Sequence, residues 1–213
     1  MATNHFINRR LHSLLGIIPT GAFLLVHLTV NFMATRGPEA FGKAVGFMES
    51  LPFLPVLEWV LIFLPLLYHA IYGVYIAFQA DYSNIAEYGF FRNAMFMLQR
   101  FTGVITLIFV VWHVYETRVQ KALGGEINFE LMNDILSNPV GMTFYLIGVI
   151  AAIFHFTNGM WSFLVSWGVT IGPRAQRIST YFWMVVFILL SIVAVLALLA
   201  FVSPEYVSQL TIG

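Results

Sequence analysis

Long apolar runs alternate with short polar breaks along this chain. Five of the runs reach the roughly 20 residues that a helix needs to cross a bilayer. They cover Leu11–Met33, Val56–Ala80, Met95–Thr117, Val140–Trp167 and Ile178–Val202. The breaks "TRGPEAFG", "ADYSNIAEYG", "ALGGEINFELMNDILSNP" and "VTIGPRAQR" gather Gly, Pro, Asn and Asp, whose backbone preferences suit turns. Pro19 and Pro65 fall inside the first two runs. Each removes a backbone donor, a loss that is tolerable where neighbouring groups re-satisfy the freed carbonyl. The pattern predicts an all-α membrane protein, a single domain over residues 1–213 with five transmembrane helices.

Composition agrees with the pattern. Hydrophobic residues make up 60% of the chain and charged residues 9%, with a mean hydropathy of +0.85. An ordinary soluble domain carries about 25% charged residues, so this chain lacks the polar side chains to cover a water-facing surface. The formal net charge is zero, which leaves no basic footprint for nucleic acid. There is no cysteine, which excludes disulfides, a cysteine-ligated iron–sulfur cluster and a thioether-linked haem within the chain. No small-residue cleavage site follows a short apolar core after "MATNHFINRR", so no removable signal peptide is expected.

Basic residues set the expected orientation. With the N-terminus inside, Arg9, Arg10, Arg92, Arg100, Arg174 and Arg177 lie on the cytoplasmic side, and Arg36, Lys43, Arg118 and Lys121 lie outside. The excess places the N-terminus in the cytoplasm and the C-terminus outside.

Histidine changes the picture from a generic bundle to a chemical one. Of six histidines, His27, His69, His113 and His155 sit within spans one to four, one apiece, and span five has none. An imidazole in hydrocarbon is costly unless something holds it. At about 1.5 Å per residue, His27 and His113 lie about 22 and 24 Å from the inner surface. Spans two and four run the other way, and His69 and His155 come out about 10 Å from it. His27 therefore shares an outer level with His113, and His69 an inner level with His155, the levels roughly 12–14 Å apart. A single intramembrane histidine can serve as an interhelical hydrogen bonder. Four, matched two by two in depth, point to two bis-imidazole clamps, each able to hold a low-spin haem suited to electron transfer. Without cysteine the haems are b-type. The expected architecture is a bundle of helices one to four around two stacked haems, with helix five packed against it.

Gly73 and Gly159 each follow an inner-level histidine by four residues. They lie on the same helix face and would let a porphyrin approach the backbone. Arg9 and His12 fall within about 60° of the direction of His27, and Gln99 about 40° from that of His113. All three sit on the inner side as candidate propionate donors, with Arg36 and Arg118 as counterparts outside. Interfacial anchoring is the ordinary role of such arginines. Glu58 precedes His69 by eleven residues, about 20° from the same face and about 16 Å further out. Glu58 and Glu116 are the candidates for passing protons to a redox substrate at the outer level. Both could also rest unreactive among the headgroups.

With these residues in place the chain resembles the cytochrome b558-type membrane anchors of Bacillus-type succinate dehydrogenases. "RRLHSLLG", "LPLLYHAIYGVYIAF", "LQRFTGVITLIFVVWHVYETR", "IFHFTNGMWSF" and "PRAQRISTY" carry the resemblance over nearly the whole length. The resemblance implies a flavoprotein partner with covalent FAD and an iron–sulfur partner on the cytoplasmic face of a bacterial membrane. It implies two haem b groups, with inner ligands His69 and His155 and outer ligands His27 and His113. It implies electron delivery to a quinone, usually menaquinone, near the outer haem. Some di-haem fumarate reductases of the wider family carry a proton-returning glutamate two residues before the fourth ligand. Here that position is Ile153. Di-haem anchors of fumarate reductases, hydrogenases, formate dehydrogenases and nitrate reductases share the bundle physics. A cofactor-free transporter would use the histidines as proton relays.

Overall fold

The computed structural model describes residues 2–79 and 91–203. The expected break at residues 80–89 lies outside the described residues. Among the described residues, five helices are long and apolar enough to cross a membrane: His5–Arg36, Leu54–Phe78, Phe91–Ala122, Pro139–Ser166 and Gly172–Val202. Among the described residues there is no strand. The first, third and fifth of these helices are longer than the apolar runs, because polar turns continue the helix past the apolar residues.

Both prolines leave identifiable marks. Span one breaks at Ile18 into Ala2–Ile17 and Pro19–Phe32. Pro19 has no N–H to give to the carbonyl of Leu15, and the neighbouring Thr20 hydroxyl donates to that oxygen at 2.9 Å instead. The helix therefore re-satisfies its own freed carbonyl. In span two a π-helical turn, Trp59–Phe63, precedes Pro65, a wide turn of the kind that accommodates a local misfit.

Two short helices occupy the outer breaks, which the turn residues alone did not indicate. Pro38–Glu49 starts behind Gly37, whose φ of +95° favours glycine. Phe129–Ser137 is capped by Asn128, whose side chain accepts from the Leu131 amide at 2.9 Å. Asn138 does the same for span four, accepting from the Val140 amide at 2.9 Å. Phe41, Phe129, Met132 and Leu136 from these helices are buried with Phe109, Tyr145, Leu198 and Phe201. The Phe41 and Phe201 rings meet edge to face with centroids 5.0 Å apart, a preferred aromatic geometry.

A second apolar cluster joins Leu28 of span one, Ile153 of span four and Ala194 of span five. Small alanines on span five let helix backbones approach closely, as in many membrane bundles. Span five thus packs against spans one and four, as expected. The apolar core lies on the span-four and span-five side and at the outer end. The imidazoles occupy the ground between spans one to four.

Candidate functional site

Chain direction decides which histidines meet. The rings of His69 and His155 have centroids 6.0 Å apart with planes at 80°. Those of His27 and His113 are 5.7 Å apart with planes at 71°. The outer couple comes from the odd-numbered spans and the inner couple from the even-numbered ones, the pairing expected from depth along the helices. Two imidazoles on opposite sides of one iron, with metal–nitrogen bonds of about 2 Å, have ring centres roughly 6 Å apart. Both couples match that spacing.

Cross-helix contacts fix the levels. The ring of His69 packs on residues 12 to 16 of span one, and that of His155 on residues 99 to 103 of span three. Side chains on a helix lean toward its N-terminus, which draws the outer rings inward. The two levels are then roughly 15 Å apart along the bundle, slightly more than the sequence estimate.

The inner couple is held by a repeated device. Nδ1 of His69 lies 2.9 Å from the His12 carbonyl, and Nδ1 of His155 lies 3.0 Å from the Gln99 carbonyl. The tautomer with the proton on Nδ1 donates both bonds and leaves each Nε2 lone pair free for a metal, as in many histidine–metal sites. Four residues after each acceptor stands a glycine. A Cβ on Gly16 would overlap the His69 ring, and one on Gly103 would come 2.9 Å from Cε1 of His155. The missing side chain opens the helix surface so that the imidazole reaches a carbonyl one turn earlier. Sequence reasoning singled out neither Gly16 nor Gly103. Their signal, a glycine four residues after a polar position, becomes readable once the opposing histidine is known.

Gly73 and Gly159 face other groups. A Cβ at Gly73 would come 3.1 Å from Cε1 of His12, and one at Gly159 3.3 Å from Nε2 of Gln99. His12 stacks on His69 with ring centroids 4.1 Å apart and planes at 5°. Its buried Nδ1 has no hydrogen-bond partner, nor has the buried hydroxyl of Tyr72, whose ring lies 5.7 Å away by centroid. Two orphaned polar atoms beside His69 suit a propionate carboxylate, which accepts from both. Gln99 is committed to span four: Nε2 donates to the His155 carbonyl at 2.9 Å, and Oε1 accepts from Asn158 at 2.8 Å. Arg9 is exposed at the inner end of span one.

The outer couple is held differently. Tyr145, 2% exposed, places its hydroxyl 3.2 Å from Nδ1 of His113 and donates to Glu116 at 3.0 Å. Asn31 donates to the His27 carbonyl at 2.9 Å and lies 3.3 Å from its Nε2. Glu58 does not stay on the His69 face. The π turn holds one residue more than an α turn, which rotates Glu58 by roughly 100° relative to an unbroken helix. Its carboxylate takes a forked ion pair from Arg118: Nε donates to both oxygens at 3.1 Å and Nη2 to Oε2 at 2.8 Å. Arg118 is thereby engaged with Glu58. Arg36 is exposed.

The donor set fits haem b at both levels. Each couple offers two neighbouring imidazoles, and among the described residues no group of three or more metal-ligating side chains converges on one point. Two imidazoles would hold the haem iron at each level, and the remaining donors would come from the macrocycle.

Comparison with known proteins shows the family. Residues 86–194 match the family model described as the succinate dehydrogenase/fumarate reductase transmembrane subunit. The succinate dehydrogenase cytochrome b558 subunit of Bacillus subtilis (strain 168) is 57% identical over 197 residues, covering 92% of this chain and 97% of that protein. A five-span chain with this identity over nearly its whole length belongs to the succinate dehydrogenase/fumarate reductase transmembrane subunit family, as a membrane subunit of the succinate dehydrogenase type.

Proposed function

We propose that the chain is the di-haem anchor of a succinate:quinone oxidoreductase in a bacterial cytoplasmic membrane, with its N-terminus inside and C-terminus outside. The paired imidazoles at two levels carry this reading. Haem b held between each couple supplies a one-electron carrier, so the two together offer a relay from an iron–sulfur partner on the inner face, itself fed by a flavoprotein with covalent FAD, to a quinone near the outer level. His69 and His155 would hold the inner group through Nε2, since Nδ1 of each is tied to the His12 and Gln99 carbonyls. His12 and Tyr72 offer protons to its carboxylates. His27 and His113 would hold the outer group.

Quinone reduction takes up two protons for two electrons, and the outer carboxylates are the groups placed to handle them. Glu58 does so against Arg118, and Glu116 against Tyr145. Menaquinone is the quinone that the resemblance implies. The low potential of that acceptor leaves little driving force for succinate oxidation. Ile153, fully buried among Leu28 and Ala194, carries no proton across the bilayer. Menaquinone reduction by succinate is therefore expected to draw on the proton potential. An uncoupler added to intact cells should lower succinate–menaquinone activity, and undiminished activity would contradict this point.

The reading itself is tested on the purified complex. A dithionite-reduced minus oxidised spectrum should show two b-type haems per chain, and a flavin-bearing partner should co-purify. No b-type α band would end the haem assignment. A nickel- or molybdenum-bearing partner would transfer the chain to a hydrogenase, formate dehydrogenase or nitrate reductase instead.

A further inference from the structure

The two couples differ in what stands behind them. Both inner imidazoles face backbone carbonyls, which are neutral acceptors, and the neutral side-chain nitrogen of Gln99 also lies 3.1 Å from His155 Nδ1. Behind His113 stands a side-chain chain of hydrogen bonds that ends on a carboxylate. Tyr145 donates its one proton to Glu116 Oε2 at 3.0 Å. Its oxygen is then left to accept from His113 Nδ1, 3.2 Å away. The order of donors is thus fixed: His113 to Tyr145 to Glu116. Tyr145 comes from span four, while His113 and Glu116 come from span three. The hydroxyl is buried with the outer aromatic cluster, so water does not compete for it. Glu116 stands in the π turn Tyr115–Val119, which begins two residues after the histidine.

We propose that Tyr145 and Glu116 are positioning residues that lower the reduction potential of the outer haem by polarising the Nδ1–H of His113. The inference rests on the di-haem reading above. A carboxylate behind the hydroxyl makes the tyrosine oxygen a stronger acceptor, and hydrogen bonds in such a chain reinforce one another at low dielectric. The imidazole then gains anionic character and donates more strongly through Nε2. A stronger donor favours ferric over ferrous iron, and outer-shell partners of a ligating histidine are an established lever on a metal site. The carbonyls behind His69 and His155 exert a weaker pull. The relay therefore makes the outer group the harder one to reduce, other influences being equal. It also gives Glu116 a role distinct from delivering protons to a quinone.

The test is a spectroelectrochemical titration of the whole complex, with the two haems distinguished by their spectra. Tyr145→Phe keeps the ring in the aromatic cluster and removes only the oxygen. Glu116→Gln keeps the shape and removes the charge. At a fixed ambient potential, Tyr145→Phe should raise the reduced-to-oxidised ratio of the outer haem by about tenfold, with the inner haem unmoved. Glu116→Gln should move it the same way by less. Loss of the outer haem alone in Tyr145→Phe would be the same effect in a stronger form, and Glu116→Gln would then read the shift. An outer haem unmoved in both variants, or an inner haem that shifts as much as the outer, overturns the proposal. Wild-type complex without two b-type haems would overturn the parent reading instead, so the two failures are separable.

Discussion

Replacing His69 or His155 with alanine should remove the inner haem and leave the outer one in place. Replacing His27 or His113 should do the reverse. The two rings of each couple lie at 6.0 and 5.7 Å, so on the proposed reading each variant should strip one haem ligand from one level and leave the other level untouched. Four single variants should sort into two phenotypes, each keeping roughly half of the reduced-minus-oxidised amplitude. Succinate–quinone activity should fall by more than about 100-fold in all four, since losing a ligand exceeds the 10–100-fold typical of losing its supporting partner. Spectra and activity on membranes check both points. If His69→Ala and His27→Ala removed the same haem, the pairing by chain direction would be wrong.

Adding a side chain at Gly16 should be nearly as damaging to the inner haem as removing His69. A Cβ there overlaps the imidazole, and the ring cannot retreat without losing its bond to the His12 carbonyl. The distances give a ranking. Gly103→Ala, with 2.9 Å to His155, should lower inner haem content clearly. Gly73→Ala and Gly159→Ala, with 3.1 Å to His12 and 3.3 Å to Gln99, should act mildly. Gly46→Ala is the control, because nothing lies within 4 Å of its would-be Cβ. In its exposed helix, alanine should add about 1 kcal/mol of local stability. Haem content per chain for the five variants is the measurement. Should Gly73→Ala and Gly159→Ala prove the most damaging, the porphyrin-packing role read from the sequence for those glycines would stand instead.

The spans and the couples were legible because both follow from counting. Apolar run length gives the crossing, alternating direction follows from connectivity, and a fixed rise per residue turns sequence position into depth. Glu58 shows where counting stops. Its angle to His69 holds only for an unbroken α-helix, and the π turn Trp59–Phe63 carries it around to Arg118. The outer helices Pro38–Glu49 and Phe129–Ser137 were obscured by turn residues that serve as their caps and entry points. Their apolar faces make sense once Phe201 of span five is seen beneath them.

Sequence alone determined that this is a five-span membrane chain with four imidazoles on two storeys. Those properties depend on composition and on one-dimensional distance along helices. Tertiary structure decided which groups stand behind each imidazole: carbonyls under Gly16 and Gly103 for the inner couple, Tyr145 and Glu116 for His113. Such contacts depend on helix rotation and on local changes in helical pitch. A single wide turn alters that rotation by about one residue, and the linear pattern does not record it.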